Sequence, residues 1–133
     1  MLHNIREFLF IVVLVWMNFG GLLLVMDENI RRKVFGILYL MGGFGAMLNA
    51  IAIAGNHGFM PVLNWGASLE PDGIHVMASA STRFVSLCDR FGIPGVWQFS
   101  FGDVFLYASF LGFLGITLAE KIWKLRGKKL WQE

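Results

Sequence analysis

Asn56-His57-Gly58-Phe59-Met60-Pro61-Val62 is a polar, turn-rich heptapeptide set between long apolar runs. Gly55 and Gly58 permit positive φ, and Pro61 biases Met60 away from helix. The segment therefore ends one helix and turns the chain. On its N-terminal side stand two apolar runs, Phe8 to Met26 and Val34 to Ala54, and beyond it a third, Val104 to Ala119. Crossing a hydrocarbon core takes about 20 apolar residues at helical rise. The first two runs meet that length directly. The third meets it when the helix extends into Trp97 to Gly102 or on to Trp123.

Composition agrees with this reading. The chain has 133 residues, 56% of them hydrophobic and 15% charged, with a mean hydropathy of +0.63, which is too apolar for an ordinary soluble domain. The expected fold class is an all-α membrane protein with three transmembrane helices. Its spans lie at about 8–26, 34–54 and 102–122 in a single membrane domain, 1–133. A folded outer segment, 55–101, carries an amphipathic or re-entrant helix. The first run reads as an uncleaved span, because Asp27-Glu28-Asn29 follows where a small-residue cleavage site would stand.

Lys and Arg sort onto one side if the N-terminus faces outward. Arg31, Arg32 and Lys33, together with Lys121, Lys124, Arg126, Lys128 and Lys129, are then cytoplasmic, and only Arg6, Arg83 and Arg90 lie outside. This places the protein in the cytoplasmic membrane as a multi-pass chain, with Trp123 as an inner interfacial anchor and Trp65 and Trp97 as outer ones. Trp16 sits mid-span and belongs to neither belt. A net charge of +2 is too small to point to nucleic acid, and Cys88, the single cysteine, excludes an intrachain disulfide. Gly42, Ala46, Ala50 and Ala54 form one strip of small residues, and Ala108, Gly112, Gly115 and Ala119 form another. The two strips are expected to meet, or one is reserved for a partner chain. Asn18 and Asn49 are expected to hydrogen-bond across helices.

In the outer segment, Pro71-Asp72-Gly73 and Ile93-Pro94-Gly95 are turn signals. Between them, Ala80, Phe84, Leu87, Cys88 and Phe91 fall on one helical face, which predicts an amphipathic helix over 79–91. Ser79, Arg83, Ser86 and Arg90 would line its polar flank and suit an anion such as a lipid phosphate, although unspecific snorkelling of both arginines to headgroups is the simpler explanation. Arg83 is expected to pair with Asp89 or Asp103 through tertiary contact. Ser100-Phe101-Gly102-Asp103 reads as a capping box opening the third helix, with Ser100 as N-cap, and capping alone accounts for both polar residues.

In chain order, Asn56-x-Gly58-x-Met60-Pro61-Val62, His75, Thr82-Arg83-Phe84, Leu87-x-Asp89, Pro94 and Ser100-x-Gly102-Asp103 resemble a family of small, uncharacterised bacterial and archaeal integral membrane proteins. The likeness covers roughly Gly43 to Gly115, and Met1 to Gly42 carry no recognised motif. His57 stands where the family pattern more often has glycine. That weakens a metal site built on His57, His75, Asp89 and Asp103, none of which lies within one helical turn of another. Ser100, His75 and Asp103 could be imagined as a nucleophile set, but Gly-x-Ser-x-Gly, phosphate-loop and His-Glu-x-x-His signatures are absent. The reading is a non-catalytic integral membrane protein, an accessory or interaction subunit whose partners are membrane lipids and other membrane-protein chains. No cofactor is implied beyond bound lipid. The alternative is a lipid- or small-solute-binding or transport protein whose outward pocket is lined by Asn56, His75, Arg83, Asp89 and Asp103, with Gly58, Met60, Pro61, Ser100 and Gly102 as its structural motif; a membrane enzyme acting on lipid headgroups is a further option.

Overall fold

The three apolar runs fold as three long helices, α1 (Leu2–Val25), α2 (Ile30–Gly55) and α3 (Phe101–Leu125). The computed structural model describes residues 2–63, 74–93 and 96–126, with side chains from residue 12 onward. Trp65, the Pro71-Asp72-Gly73 turn, Pro94, Lys128 and Lys129 lie outside the described residues, as does the side chain of Arg6. The turn from α1 to α2 is built by two side chains. The Asp27 carboxylate accepts the Asn29 N–H at 2.9 Å, and Asn29 caps α2 by accepting the N–H groups of Arg31 and Arg32. Both α2 and α3 are long and apolar enough to cross a bilayer, while the apolar part of α1 with described side chains, Val12–Val25, is shorter.

The chain divides into two compact units, Met1–Gly43 with Leu106–Glu133, and Phe44–Phe105. In the first unit, α1 and α2 touch backbone to backbone. A Cβ on Gly36 would lie 2.7 Å from both the Gly21 oxygen and the Val25 nitrogen. Ser109 of α3 donates to the Leu38 carbonyl of α2 at 2.8 Å, and Phe113 packs against Phe35 and Tyr39 with ring centroids 5.4 Å and 5.0 Å away. Arg31 and Glu120 form an ion pair at 2.8 Å. Within this unit the small residues of the strips are not apposed to one another, and a Cβ on Gly112 would meet Leu38 at 2.5 Å. A Cβ at Gly115 would meet nothing within 4 Å, and Gly42 is apposed to Ser109, which lies next to the strip rather than in it. Asn18 also departs from expectation: its amide donates to Leu14 O of its own helix at 2.8 Å, and its head fills the space left by Gly43.

The second unit corrects the all-α expectation, because it contains strands. A parallel pair joins β1 (Met60–Val62) to β2 (His75–Met77), with Met60 opposite His75 and Val62 opposite Met77. An antiparallel pair joins β3 (Phe91–Ile93) to β4 (Trp97–Phe99). Proline has no N–H for a ladder, and β1 accommodates it because the bonds to the β2 side flank Pro61: Met60 donates to Ile74 O and Val62 accepts from Ala78 N. Pro61 itself only accepts, from Asp89 N at 3.0 Å. Met60, Pro61, Val62, Cys88 and Ser100 form the buried centre of this unit.

No amphipathic helix forms over 79–91. Ser79 to Thr82 is a tight turn closed by Thr82 N to Ser79 O at 3.1 Å and by Ser79 N to the Thr82 hydroxyl at 2.8 Å. Phe84 is left-handed with φ 51°, a short 3₁₀ turn follows at Val85–Leu87, and Asp89 bridges to Val62. Left-handed backbone at a bulky aromatic breaks a helix outright. The periodicity of Phe84, Leu87 and Phe91 is thus a coincidence of spacing, and the Ser79, Arg83, Ser86, Arg90 stripe does not exist.

The close approach at Gly36 makes a direct test. Gly36→Ala is expected to destabilise the chain by about 1–3 kcal/mol through overpacking, read by denaturant unfolding in detergent. Gly20→Ala, where a Cβ would meet nothing within 4 Å, should be neutral or stabilising by up to about 1 kcal/mol.

Candidate functional site

Helix α3 starts at Ser100, and its first turn has donors to satisfy. Ser100 and Asp103 satisfy them reciprocally: Asp103 N donates to Ser100 Oγ at 3.1 Å, and Ser100 N donates to Asp103 Oδ2 at 2.9 Å. This is the expected capping box with aspartate in the acidic position. It is also sealed from α2. Ser100 Oγ donates to Asn49 Oδ1 at 2.7 Å, and Asn49 Nδ2 donates to Asp103 Oδ1 at 2.7 Å. One amide thereby engages both halves of the box. Ser100 is fully buried, so its own polar groups depend on these bonds rather than on water.

Gly102 makes the arrangement possible. A Cβ there would collide with Asn49 Oδ1 and lie 2.5 Å from the Gly45 carbonyl oxygen, so the Ser-x-Gly-Asp pattern specifies a cap, a close approach and a second cap.

The heptapeptide end of the unit is held by a second amide. Asn56 Nδ2 donates to Ala52 O at 2.7 Å and to Arg83 O at 2.9 Å, and Asn56 Oδ1 accepts the Arg83 N–H at 2.8 Å. This clamp takes both backbone groups of Arg83, the groups a helix would have used. Gly55 lies under the Phe84 ring, where a Cβ would come within 2.6 Å of ring carbons. The turn after α2 closes with Gly58 N to Ile53 O at 2.9 Å, with His57 at φ 60° and Gly58 at φ 90°. His57, not Gly55, thus shares the left-handed turn with Gly58. A glycine would serve at position 57 without strain.

Asp89 and His75 form the remaining polar pair. Asp89 is only 3% exposed, and its Oδ2 lies 3.4 Å from His75 Nε2. Burial, reinforced by the nearby Asp103 carboxylate and opposed by His75, raises the Asp89 acid to about 6. Burial also raises the neighbouring Cys88 thiol, leaving it a poor nucleophile.

The sequence-predicted site residues therefore separate into three groupings: Ser100, Gly102 and Asp103 with Asn49; Asn56 with the Arg83 backbone, next to Gly58; and His75 with Asp89, alongside Met60 and Pro61 of β1. Arg83 reaches neither Asp89 nor Asp103. Its side chain is exposed and has no ion pair among the described residues. Asn49 was expected only to hydrogen-bond across helices, and its solitary amide within an apolar run was the signal for a larger role. Among the described residues no group of three or more metal-ligating side chains assembles.

Residues 2–115 match the DUF5317 family, described as a family of unknown function. The match begins in α1, within the first 42 residues, where no motif was read. No curated protein and no solved structure matches the chain.

Breaking the sealed box has a defined cost. Asn49→Leu is expected to lose about 2–3 kcal/mol, since buried partners on Ser100 and Asp103 are left unpaired. Asn49→Ala and Ser100→Ala combined should show a coupling of roughly 1 kcal/mol or more in a double-mutant cycle; simple additivity would contradict the network.

Proposed function

The chain belongs to the DUF5317 family, and we propose that it is a small, non-catalytic integral membrane protein that serves as an interaction subunit of a larger membrane assembly. The observation carrying this reading is the use to which the motif is put. The side chains of Asn49, Asn56, Ser100 and Asp103 are spent on hydrogen bonds within the chain, so the motif builds a rigid segment rather than a reactive one.

Three properties support the placement. The helices carry large apolar side chains outward, including Trp16 at 76% exposure and Phe110 at 64%. No more than 22% of the most apolar stretch of α2 and 11% of that of α3 is buried, unlike a core helix of a soluble protein. The charge asymmetry then orients all three helices as spans, with the N-terminus outside, residues 31–33 and the C-terminal basic cluster in the cytoplasm, and residues 55–101 outside. On that outer segment Phe84, Ile93, Val96 and Trp97 are exposed, an apolar surface of the kind that marks contact with another chain.

Two experiments test this. A photo-crosslinking residue at Trp97 should give one discrete adduct with a second membrane protein in intact cells; crosslinks to lipid alone, together with anionic-lipid binding lost in Arg83→Ala, would replace this reading with lipid-headgroup binding at the exposed Arg83. For topology, buried Cys88 gives a silent background. His57→Cys should be labelled by an impermeant maleimide from outside and Arg126→Cys should not, and the reverse pattern would invert the orientation.

A further inference from the structure

Strand β1 has a neighbour on each side. Met60 pairs with His75 of β2, and Val62 bridges to Asp89, with Leu63 N donating to Asp89 O at 2.7 Å. Residues two apart on a strand share a face, so His75 and Asp89 rise on the same face and meet across β1 at 3.4 Å. The contact is a cross-brace over three strand segments.

The Asp89 side of the contact is incompletely satisfied. Asp89 Oδ1 is buried and has no hydrogen-bond partner among the described residues, which is costly for an anion and far less so for a neutral carboxyl. Of the charged groups around it, His75 from β2 can compensate, and Asp103 from α3 works against the charge. On its own segment, Cys88 is a neutral thiol and the Arg90 guanidinium lies over the Phe91 ring, 5.9 Å from its centroid.

We propose that Asp89 and His75 form a proton-binding site that locks β2 and the Asp89 segment onto β1, so that the strand assembly tightens on acidification. One proton from solvent is taken up at the Asp89 carboxyl that faces the imidazole nitrogen, and the charge of the pair rises by one unit. The proposal rests on the brace geometry and is independent of membrane topology and of any partner chain.

The sign follows from linkage. The folded acid, at about 6, holds its proton more tightly than the ordinary carboxyl at 3.8. The added stability is full below the lower value and is lost as pH rises through the upper one. The test uses the full chain in detergent, with Tm measured at about pH 4.5 and about pH 7. The wild type should lose at least about 5 °C more than Asp89→Asn over that interval, because asparagine mimics the neutral acid at both pH values; parallel profiles would overturn the proposal.

Should Asp89→Asn fail to fold, infrared spectra of wild type with ¹³C-labelled aspartate provide the second readout. A protonated-carboxyl band with a midpoint near pH 6 is expected, and titration of every aspartate near the ordinary value would sink the idea. His75→Gln should move that midpoint upward, since His75 opposes protonation of the Asp89 carboxyl, and an unmoved midpoint would count against the pairing.

Discussion

Asn49 accepts the hydroxyl proton of Ser100 and donates to Asp103, joining the interior of α2 to the first turn of α3 within one unit. The end of α2 and strands β1 to β4 lie between those two points, and this amide ties the two ends together. At the buried Ser100 each unmade bond would cost more than it does at a surface, so the pairing is highly specific about register. A shift of α3 by one residue would move Gly102 away from Asn49 and set a side chain against it. Gly102 and Asn49 are for this reason one device.

With the ends fixed, the intervening chain has little freedom. The Asn56 clamp on Arg83 and the Asp89 bridge to Val62 tie its described segments to one another. Cys88, Val62 and Pro61 fill the space between them. The unit depends on directional polar bonds more than on apolar volume, which suits a segment flanked by helices whose own apolar surface faces away from the protein. Its motif is therefore architectural, and its exposed arginine and aromatic side chains are what it presents to its surroundings.

The helices were legible because an apolar run of bilayer length has few other structures open to it. The capping box was legible for the same reason of locality, since Ser100 and Asp103 lie three residues apart. Strands β1 and β2 were not. Each is three residues long, and their pairing is tertiary, so no period of two extends far enough to register. Residues 79–91 misled because Phe84, Leu87, Cys88 and Phe91 fit a helical face, while the residue that forbids the helix, Asn56, is 27 positions away from Arg83. The small-residue strips misled only in part: Gly42 and Gly112 do mark close approaches, but to Ser109 and Leu38 rather than to each other's strip.

Hydrogen exchange resolved by residue, on the full chain in detergent, tests the sealed box most directly. The backbone N–H groups of Ser100 and Asp103 should exchange as slowly as those in the middle of α2, because each is hydrogen-bonded to the other residue's side chain. Exchange of these two amides at the rate of an open helix end would contradict it.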